Sequence, residues 1–180
     1  MFIKNNMEEN KVEDKSVLGE NKSVKTVHRK KTRRYLFQKL YAATFSWVNS
    51  ASFDESFYND VFDFDIDSVY LEEMFELILN KEAYLLEIIR ILAPKFKVES
   101  MGMDYILPIL IWACEMLYFS EEIPAKVSLN ESVEMAKIYW DESSKKIVNW
   151  VMNKFYKQYD EIKKQLDEFD WKTDFVLFKK

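Results

Sequence analysis

The amino-acid sequence predicts an all-α protein built around one core. Its 180 residues include only two Gly and three Pro, the residue types on which the tight turns of β-hairpins most depend. Apolar residues recur at intervals of three and four in several separate segments, which is the spacing of a helix with one buried face. A chain of 180 residues suits one well-packed domain with tails and is too short for two domains with separate cores.

The first helix is predicted to begin near Lys30. Residues 1–24 before it are polar, mixed in charge and without apolar periodicity, so they predict a flexible tail. After Lys30 an apolar stripe follows helical spacing, and its members are Leu36, Phe37, Leu40, Thr44 and Trp47. Residues 53–68 mix carboxylates with aromatic side chains, and they predict a loop or a broken helix.

Three helices are predicted next. Asp67 and Ser68 are good cap residues for a helix over 69–80. A second helix should run from residue 82 and stop near Pro94, because proline disfavours helical backbone in the residue before it. The apolar segment 105–119 falls short of the roughly 20 residues that span a bilayer. It therefore predicts a core helix.

Two more helices complete the predicted fold. One follows Pro124 and covers residues 126–140. The last is capped by Ser143 or Asp141 and continues as one helix along a single apolar stripe. The residues of that stripe are Ile147, Val151, Phe155, Tyr159, Ile162, Leu166 and Phe169.

The residue counts argue against catalysis, metals and cofactors. His28 is the only histidine and Cys114 the only cysteine, too few for a zinc site of paired ligands or for an intramolecular disulfide. A single cysteine fits a reducing compartment, and the amino terminus has no secretory signal, so we expect a cytoplasmic protein. Gly19 and Gly102 are too far apart for a phosphate-binding loop.

One acidic pattern resembles the start of a calcium loop and does not continue as one. Asp63, Asp65 and Asp67 alternate, but Ser68 and Met74 stand where that loop needs Gly and Glu. Adjacent carboxylates on the predicted helices are better explained as solvated faces. We therefore predict a protein that is not an enzyme.

A basic run at the start of the first helix points to an anionic partner. It places five cations in six positions of a chain with a net charge of −5, and these are Arg29, Lys30, Lys31, Arg33 and Arg34. Such cations repel one another and are disfavoured at a helix amino terminus by the helix dipole. A polyphosphate backbone bound to them would offset this unfavourable electrostatic energy. A solvated basic stretch with no partner is the alternative. Gln38 and Tyr41 lie at helical spacing on the face that holds Lys30 and Arg34, and such side chains can read unpaired RNA bases.

Two stretches of the chain resemble the signatures of a known family. The first is "IPAKVSLNESVEMAKIYWDESSKKIVNWVMNK", residues 123–154, and the second is "RKKTRRYLFQKLY", residues 29–41. Together they resemble NusB, the family of bacterial transcription antitermination and ribosomal-RNA maturation factors. The matching residues of the first stretch include Pro124, Lys126, Val127, Asn130, Glu131, Glu134, Ala136, Lys137, Ser144, Lys146, Asn149 and Lys154.

The resemblance implies a fold and a function. It implies an all-helical domain of two small packed bundles over residues 25–157. The apolar stripe continues past this domain, so we expect a carboxy-terminal helical extension over residues 158–180, which the resemblance does not explain. The resemblance further implies binding of single-stranded boxA RNA in ribosomal-RNA leaders with NusE, the small-subunit ribosomal protein, in an antitermination complex on RNA polymerase. DNA and membranes are not implied partners. Lys145 and Lys146 would extend the RNA face.

This chain departs from the family pattern at several positions. Trp140 and Trp150 stand where the family has glycines, and Ile147 stands at a frequent Phe. The start of the apolar helix, "DYILPILIW", replaces a charged segment that helps to bind the protein partner in the family. Two alternatives therefore remain: a helical protein-interaction adaptor without boxA specificity, and an RNA-binding subunit associated with ribosomal-RNA methylation.

Overall fold

The described part of the chain is entirely helical apart from its connections. The structure is a computed structural model that describes residues 28–45, 66–139, 142–168 and 176–178. Within these ranges the helices are α1 (Arg29–Phe45), α2 (Ser68–Asn80), α3 (Glu82–Leu92), α4 (Met103–Tyr118), α5 (Ala125–Tyr139), α6 (Glu142–Lys157) and α7 (Tyr159–Asp167). A short 3-10 helix, Val98–Ser100, precedes α4. The all-α prediction is confirmed, and the predictions on residues 1–24, 53–65 and Trp47 lie outside the described residues.

Local sequence signals place several of the helix ends correctly. The side chain of Asp67 caps α2 by accepting a hydrogen bond from the backbone N–H of Tyr70, as its residue type predicted. Helix α3 ends at Leu92, with Ala93 as its cap, two residues before Pro94. Helix α4 begins two residues earlier than predicted, and it keeps the buried Pro108 inside it, where proline leaves the carbonyl of Asp104 without its usual helical donor.

Helix α4 is the centre of the fold. It packs against α1, α2, α3, α5 and α6, and every residue from Ile106 to Met116 is buried. Helices α1 and α2 pack on it as one small bundle, and α5 and α6 as another. Because both bundles share α4, their apolar side chains form one continuous core.

Side-chain contacts fix the relative directions of α1, α4 and α5. Lys30 lies beside Glu131 and Gln38 beside Tyr139, so α1 and α5 run parallel. Arg33 contacts Glu115 near the end of α4, although it lies near the start of α1. Helix α4 is therefore antiparallel to both.

The predicted single last helix is broken at Gln158. Helix α6 ends at Lys157 and α7 begins at Tyr159, and the N–H of Gln158 is shared between the carbonyls of Lys154 and Phe155. The expected stripe is nevertheless buried on both helices at Val151, Phe155, Ile162 and Leu166. Two residues were predicted as the N-cap of this helix. Ser143 is not the N-cap, because it lies in the first turn of α6, and Asp141 lies outside the described residues.

The chain returns to the core after α7. Leu177 and Phe178 are buried with the side chains of the core, and the backbone N–H of Leu177 donates to the carboxylate of Glu82 at the start of α3. This hydrogen bond gives the buried Glu82 a partner, because an unpaired carboxylate is costly away from water. The last described residues are thus part of the packed structure.

Candidate nucleic-acid interface

The basic run occupies the first six residues of α1, but its five cations differ in exposure. Lys30 and Lys31 are exposed, Arg29 and Arg34 are half-buried, and only 3% of Arg33 is exposed. The difference follows from helical geometry, because a run of successive residues points in all directions around the axis. These cations therefore do not share one face.

Arg33 is not placed to contact a phosphate. Its Nε donates to Oε1 of the fully buried Glu115 at 2.6 Å, and the hydroxyl of Tyr70 donates to the same oxygen. Burial, followed by the charge of Glu115, raises the pKa of Tyr70 well above its usual value, so this hydroxyl keeps its proton. The expectation that Arg33 binds RNA is corrected accordingly: Arg33 joins α1 to α2 and α4 inside the core.

Arg29 is tied to the amino-terminal end of α2. Its Nε and Nη2 atoms donate to Oδ2 of Asp67 at 3.1 and 2.7 Å, and Nη1 lies 3.6 Å from Glu122. The guanidinium also lies 4.8 Å from the centre of the Tyr70 ring, within the range of a cation–π contact. About a third of the side chain, 35%, stays exposed. One edge of its guanidinium thus anchors the start of α1.

Lys30 and Arg34 lie along a shallow cleft between α1 and α5. The cleft is also lined by Glu131, Glu134 and Ile138, and the Nζ atom of Lys30 is 3.7 Å from Glu131. With Asp67 and Glu115, these carboxylates offset much of the repulsion within the basic run. The basic run therefore has carboxylate neighbours within the fold, and its charge pattern by itself does not require an external anion.

Gln38 and Tyr41 lie farther along α1, beside the end of α5. The Nε2 atom of Gln38 donates to the hydroxyl of Tyr139 at 3.3 Å, and the ring of Tyr139 stacks on Phe37 with 4.6 Å between centroids. Tyr41 is 40% exposed, and its ring lies 5.2 Å from that of the exposed Phe45. An amide and two aromatic rings therefore follow Lys30 and Arg34 along the helix.

Tyr139 is a further candidate for the site, although its sequence context did not single it out. It was visible only as one member of the predicted helix 126–140 and of the family signature. Its position beside Gln38 depends on the parallel packing of α1 and α5, which joins residues 101 positions apart. Burial raises the pKa of Tyr139, so its hydroxyl stays protonated and can also donate a hydrogen bond.

Lys145 and Lys146 lie at the opposite end of α4 from Arg29 and Arg33. The hydroxyl of Ser144 donates to the carboxylate of Asp104 at 2.8 Å, which places the start of α6 beside the start of α4. Eleven residues separate Asp104 from Glu115, about 16 Å along a helix. The two lysines are therefore nearer to the end of α1 that carries Gln38 than to its arginines.

The two lysines are both reachable from solvent. Lys146 is exposed, and the side chain of Lys145 is 31% exposed with its Nζ atom 3.7 Å from Glu142. A ligand that touched all the predicted residues except Arg33 would have to extend along most of α1 and across the end of α5. Such a ligand would be elongated, and a nucleic-acid strand has this shape.

Among the described residues, no group of three His, Cys, Asp or Glu side chains is arranged to hold a metal ion. None of the described helices combines the length and the apolar character that crossing a membrane requires.

Comparison with known proteins identifies relatives over most of the chain. Residues 30–157 match the model of the NusB family. The chain is 29% identical over 133 residues to the transcription antitermination protein NusB of Clostridium perfringens strain 13, covering 73% of this chain and 98% of the relative. It is 29% identical over 135 residues to the protein of the same name from Shewanella baltica strain OS155, covering 73% of this chain and 96% of the relative.

Proposed function

This chain belongs to the NusB family of transcription antitermination proteins, and on that premise we propose that it binds single-stranded boxA-type RNA in ribosomal-RNA leaders. It acts without catalysis, in the cytoplasm, by holding the transcript together with NusE. The pair then joins the antitermination complex on RNA polymerase and supports transcription and processing of ribosomal RNA.

The observation that carries the proposal is the order of side chains along one face of α1. Lys30 and Arg34 come first, and Gln38 and Tyr41 follow at the spacing of successive helical turns. Cations neutralise phosphates, whereas an amide and an aromatic ring read base edges and base faces. One RNA strand laid along this face would meet both kinds of contact.

The remaining candidates fall into four groups. Lys31 is exposed and follows Lys30 in sequence, and it adds positive charge next to the start of the face although it points in another direction. The side chain of Arg29 is 35% exposed, so we propose that it meets a phosphate while it holds Asp67. Lys145 and Lys146 extend the face beyond Gln38 and Tyr41, whereas Arg33 is left out of the proposed contacts because it is buried.

The net charge of the chain fits selective rather than general binding to nucleic acid. A formal charge of −5 repels polyphosphates at long range, so binding depends on the local cations of α1 and α6. We therefore expect weak affinity for duplex DNA and for RNA without boxA.

Salt dependence of RNA binding tests the phosphate contacts. We expect the double variant Lys30→Ala/Arg34→Ala to weaken binding of boxA RNA and to reduce the slope of log K against log salt by about 1.4, since each phosphate contact on a single strand contributes about 0.7. The matched control is Lys163→Ala/Lys164→Ala, which removes two exposed lysines of α7. Equal slopes for the two double variants would contradict the proposed contacts.

Sequence selectivity separates this function from the protein-adaptor alternative. The affinity of the full chain should be measured for boxA RNA and for a scrambled RNA of the same composition, with and without NusE. We expect a preference for boxA that NusE increases. Equal affinity for the two RNAs under both conditions would favour an adaptor that lacks boxA specificity.

A further inference from the structure

Helix α6 presents a basic surface with one exposed tryptophan at its centre. Between Glu142 and Asp160 the chain contains four lysines and no carboxylate, although its net charge is −5. Trp150 is 48% exposed, whereas Trp112, the other tryptophan that the structure describes, is fully buried. An indole ring that remains in solvent on a lysine-rich helix is not explained by core packing.

The side chains around Trp150 suit an RNA strand. Lys146 lies one turn before Trp150 on the same face, Lys157 lies two turns after it, and both are exposed. Lys154 places its Nζ atom 5.4 Å from the centre of the indole and donates to the carbonyl of Leu92 at 2.9 Å. Lys154 thus joins the Trp150 ring to the backbone of the fold, and Lys146 and Lys157 on either side of Trp150 can reach phosphates.

Two asparagines add hydrogen-bonding groups near Trp150 in α6. The amide nitrogen of Asn153 donates to the side-chain and backbone oxygens of Asn149, each at 2.8 Å. This pairing leaves amide N–H donors on Asn149 and an acceptor oxygen on Asn153. Because Asn149 precedes Trp150 and Asn153 follows it by three residues, these groups lie near it along α6 and can meet the edge of a base that stacks on the ring.

We propose that Trp150 is a stacking platform for an unpaired base of the transcript outside boxA, with Lys146 and Lys157 contacting the flanking phosphates. This inference rests on the proposed function and extends it. RNA is favoured as the occupant because the surface is lysine-rich and begins at Lys145 and Lys146, which the proposed strand reaches after α1 and the end of α5. Trp150 lies about 6 Å farther along α6 than Lys146, a distance of one helical turn that a continuing strand can cover.

Binding assays with RNAs of two lengths test the platform. The probes are a minimal boxA RNA and the same RNA carrying an oligouridine arm at its 5′ or 3′ end. For the full chain we expect Trp150→Ala to leave the affinity for the minimal RNA unchanged and to weaken binding of one extended RNA by at least about fivefold. Trp150→Phe should retain most of the affinity because it keeps an aromatic face.

The matched control is Tyr156→Ala, which removes another aromatic side chain of α6. Tyr156 is 43% exposed but lies on a different face of the helix, so its loss should not change the affinity for any of the RNAs. Far-UV circular dichroism of each variant establishes that the helical fold is retained.

Crosslinking locates the contact directly. A single 5-iodouridine placed at successive positions in the arm should form a photo-crosslink to the peptide that contains Trp150. Crosslinks confined to α1 would overturn the platform, and so would equal effects of Trp150→Ala and Tyr156→Ala on the extended RNAs.

The two proposals fail in different ways. If Lys30→Ala/Arg34→Ala weakens binding to every boxA RNA while Trp150→Ala weakens none, the platform is wrong and the proposed function stands. If the unaltered chain does not distinguish boxA RNA from scrambled RNA, with or without an arm, both are overturned. A loss of NusE binding in Trp150→Ala with unchanged RNA affinity would assign the surface to protein and overturn the platform.

Discussion

Arg33 on α1 and Glu115 on α4 form a buried ion pair across the shared core, with 2.6 Å between Nε and Oε1. Only 4% and 0% of their side chains are exposed, and the hydroxyl of Tyr70 contacts the same carboxylate oxygen. The pair joins residues that are 82 positions apart, so it connects the start of the domain to its central helix.

Removing one partner of this pair should destabilise the protein strongly. We expect Glu115→Ala to lower the free energy of unfolding by about 3–5 kcal/mol, because it leaves the Arg33 guanidinium buried without a counter-charge. Arg33→Met/Glu115→Met in a Tyr70→Phe background should recover most of the loss, since no charge or hydroxyl then lacks a partner. Urea unfolding measures the free energy of unfolding of the single and the combined variants. An equal loss of stability in the two would contradict this account.

Tyr139 should act on RNA recognition through Gln38. Tyr139→Phe removes the hydroxyl that accepts from Gln38 and keeps the ring that stacks on Phe37. We expect the free energy of unfolding to change by less than about 1 kcal/mol, because one partly exposed hydrogen bond is lost. The preference for boxA over scrambled RNA should fall severalfold. A double-mutant cycle with Gln38→Ala measures the coupling, and additive effects would show that the two residues act independently.

Tyrosine ionisation should weaken the fold at high pH. Burial raises the pKa of Tyr84 from 10.0 to about 12, with a further contribution from Asp167, and burial raises the pKa of Tyr70 in the same direction. The unfolded chain loses these protons near pH 10 and the folded chain retains them, so the stabilisation is complete below pH 10 and is lost as the pH rises toward 12. We expect the urea midpoint to fall over this window.

The alkaline effect has a specific control. Tyr84→Phe removes one of the shifted phenols, so the fall in the urea midpoint between pH 10 and 12 should become shallower. Absorbance at alkaline pH should show that some tyrosines ionise only after unfolding. If every tyrosine of the folded protein titrates as free tyrosine does, the predicted pH dependence is wrong.

Phe178 should contribute to stability from outside the helices. Its side chain is fully buried, so Phe178→Ala is expected to cost about 3–5 kcal/mol through lost apolar burial and the cavity left behind. Val176→Ala is the control, because Val176 is 61% exposed and its loss should change the free energy of unfolding very little. Binding of boxA RNA at a temperature where both variants are folded should be unaffected, since Phe178 lies outside the proposed RNA face.

Periodicity and cap residues predicted most of the fold because they act locally. The stripe of Leu36, Phe37 and Leu40 identified the buried face of α1, and Asp67 and Pro94 marked helix ends within two residues. The break at Gln158 had no such signal, since neither Gly nor Pro accompanies it. The return of Phe178 to the core depends on packing between distant segments.

The candidate site was less predictable because charge alone does not indicate exposure. Arg33 and Lys39 are both cations of α1, and both are buried. Each has a carboxylate partner on another helix, Glu115 for Arg33 and Glu72 for Lys39 at 3.0 Å. Those partners could be identified only when α1 was placed against α2 and α4.

The position of α4 between the two bundles also limits how the chain can be divided. A fragment that ended before Met103 would keep α1, α2 and α3 but would lose α4, the helix against which all three pack. A fragment that began at Met103 would expose the face of α4 that packs against α1, α2 and α3. Neither half has a complete apolar interior of its own, so the domain should gain and lose its structure as a single cooperative unit.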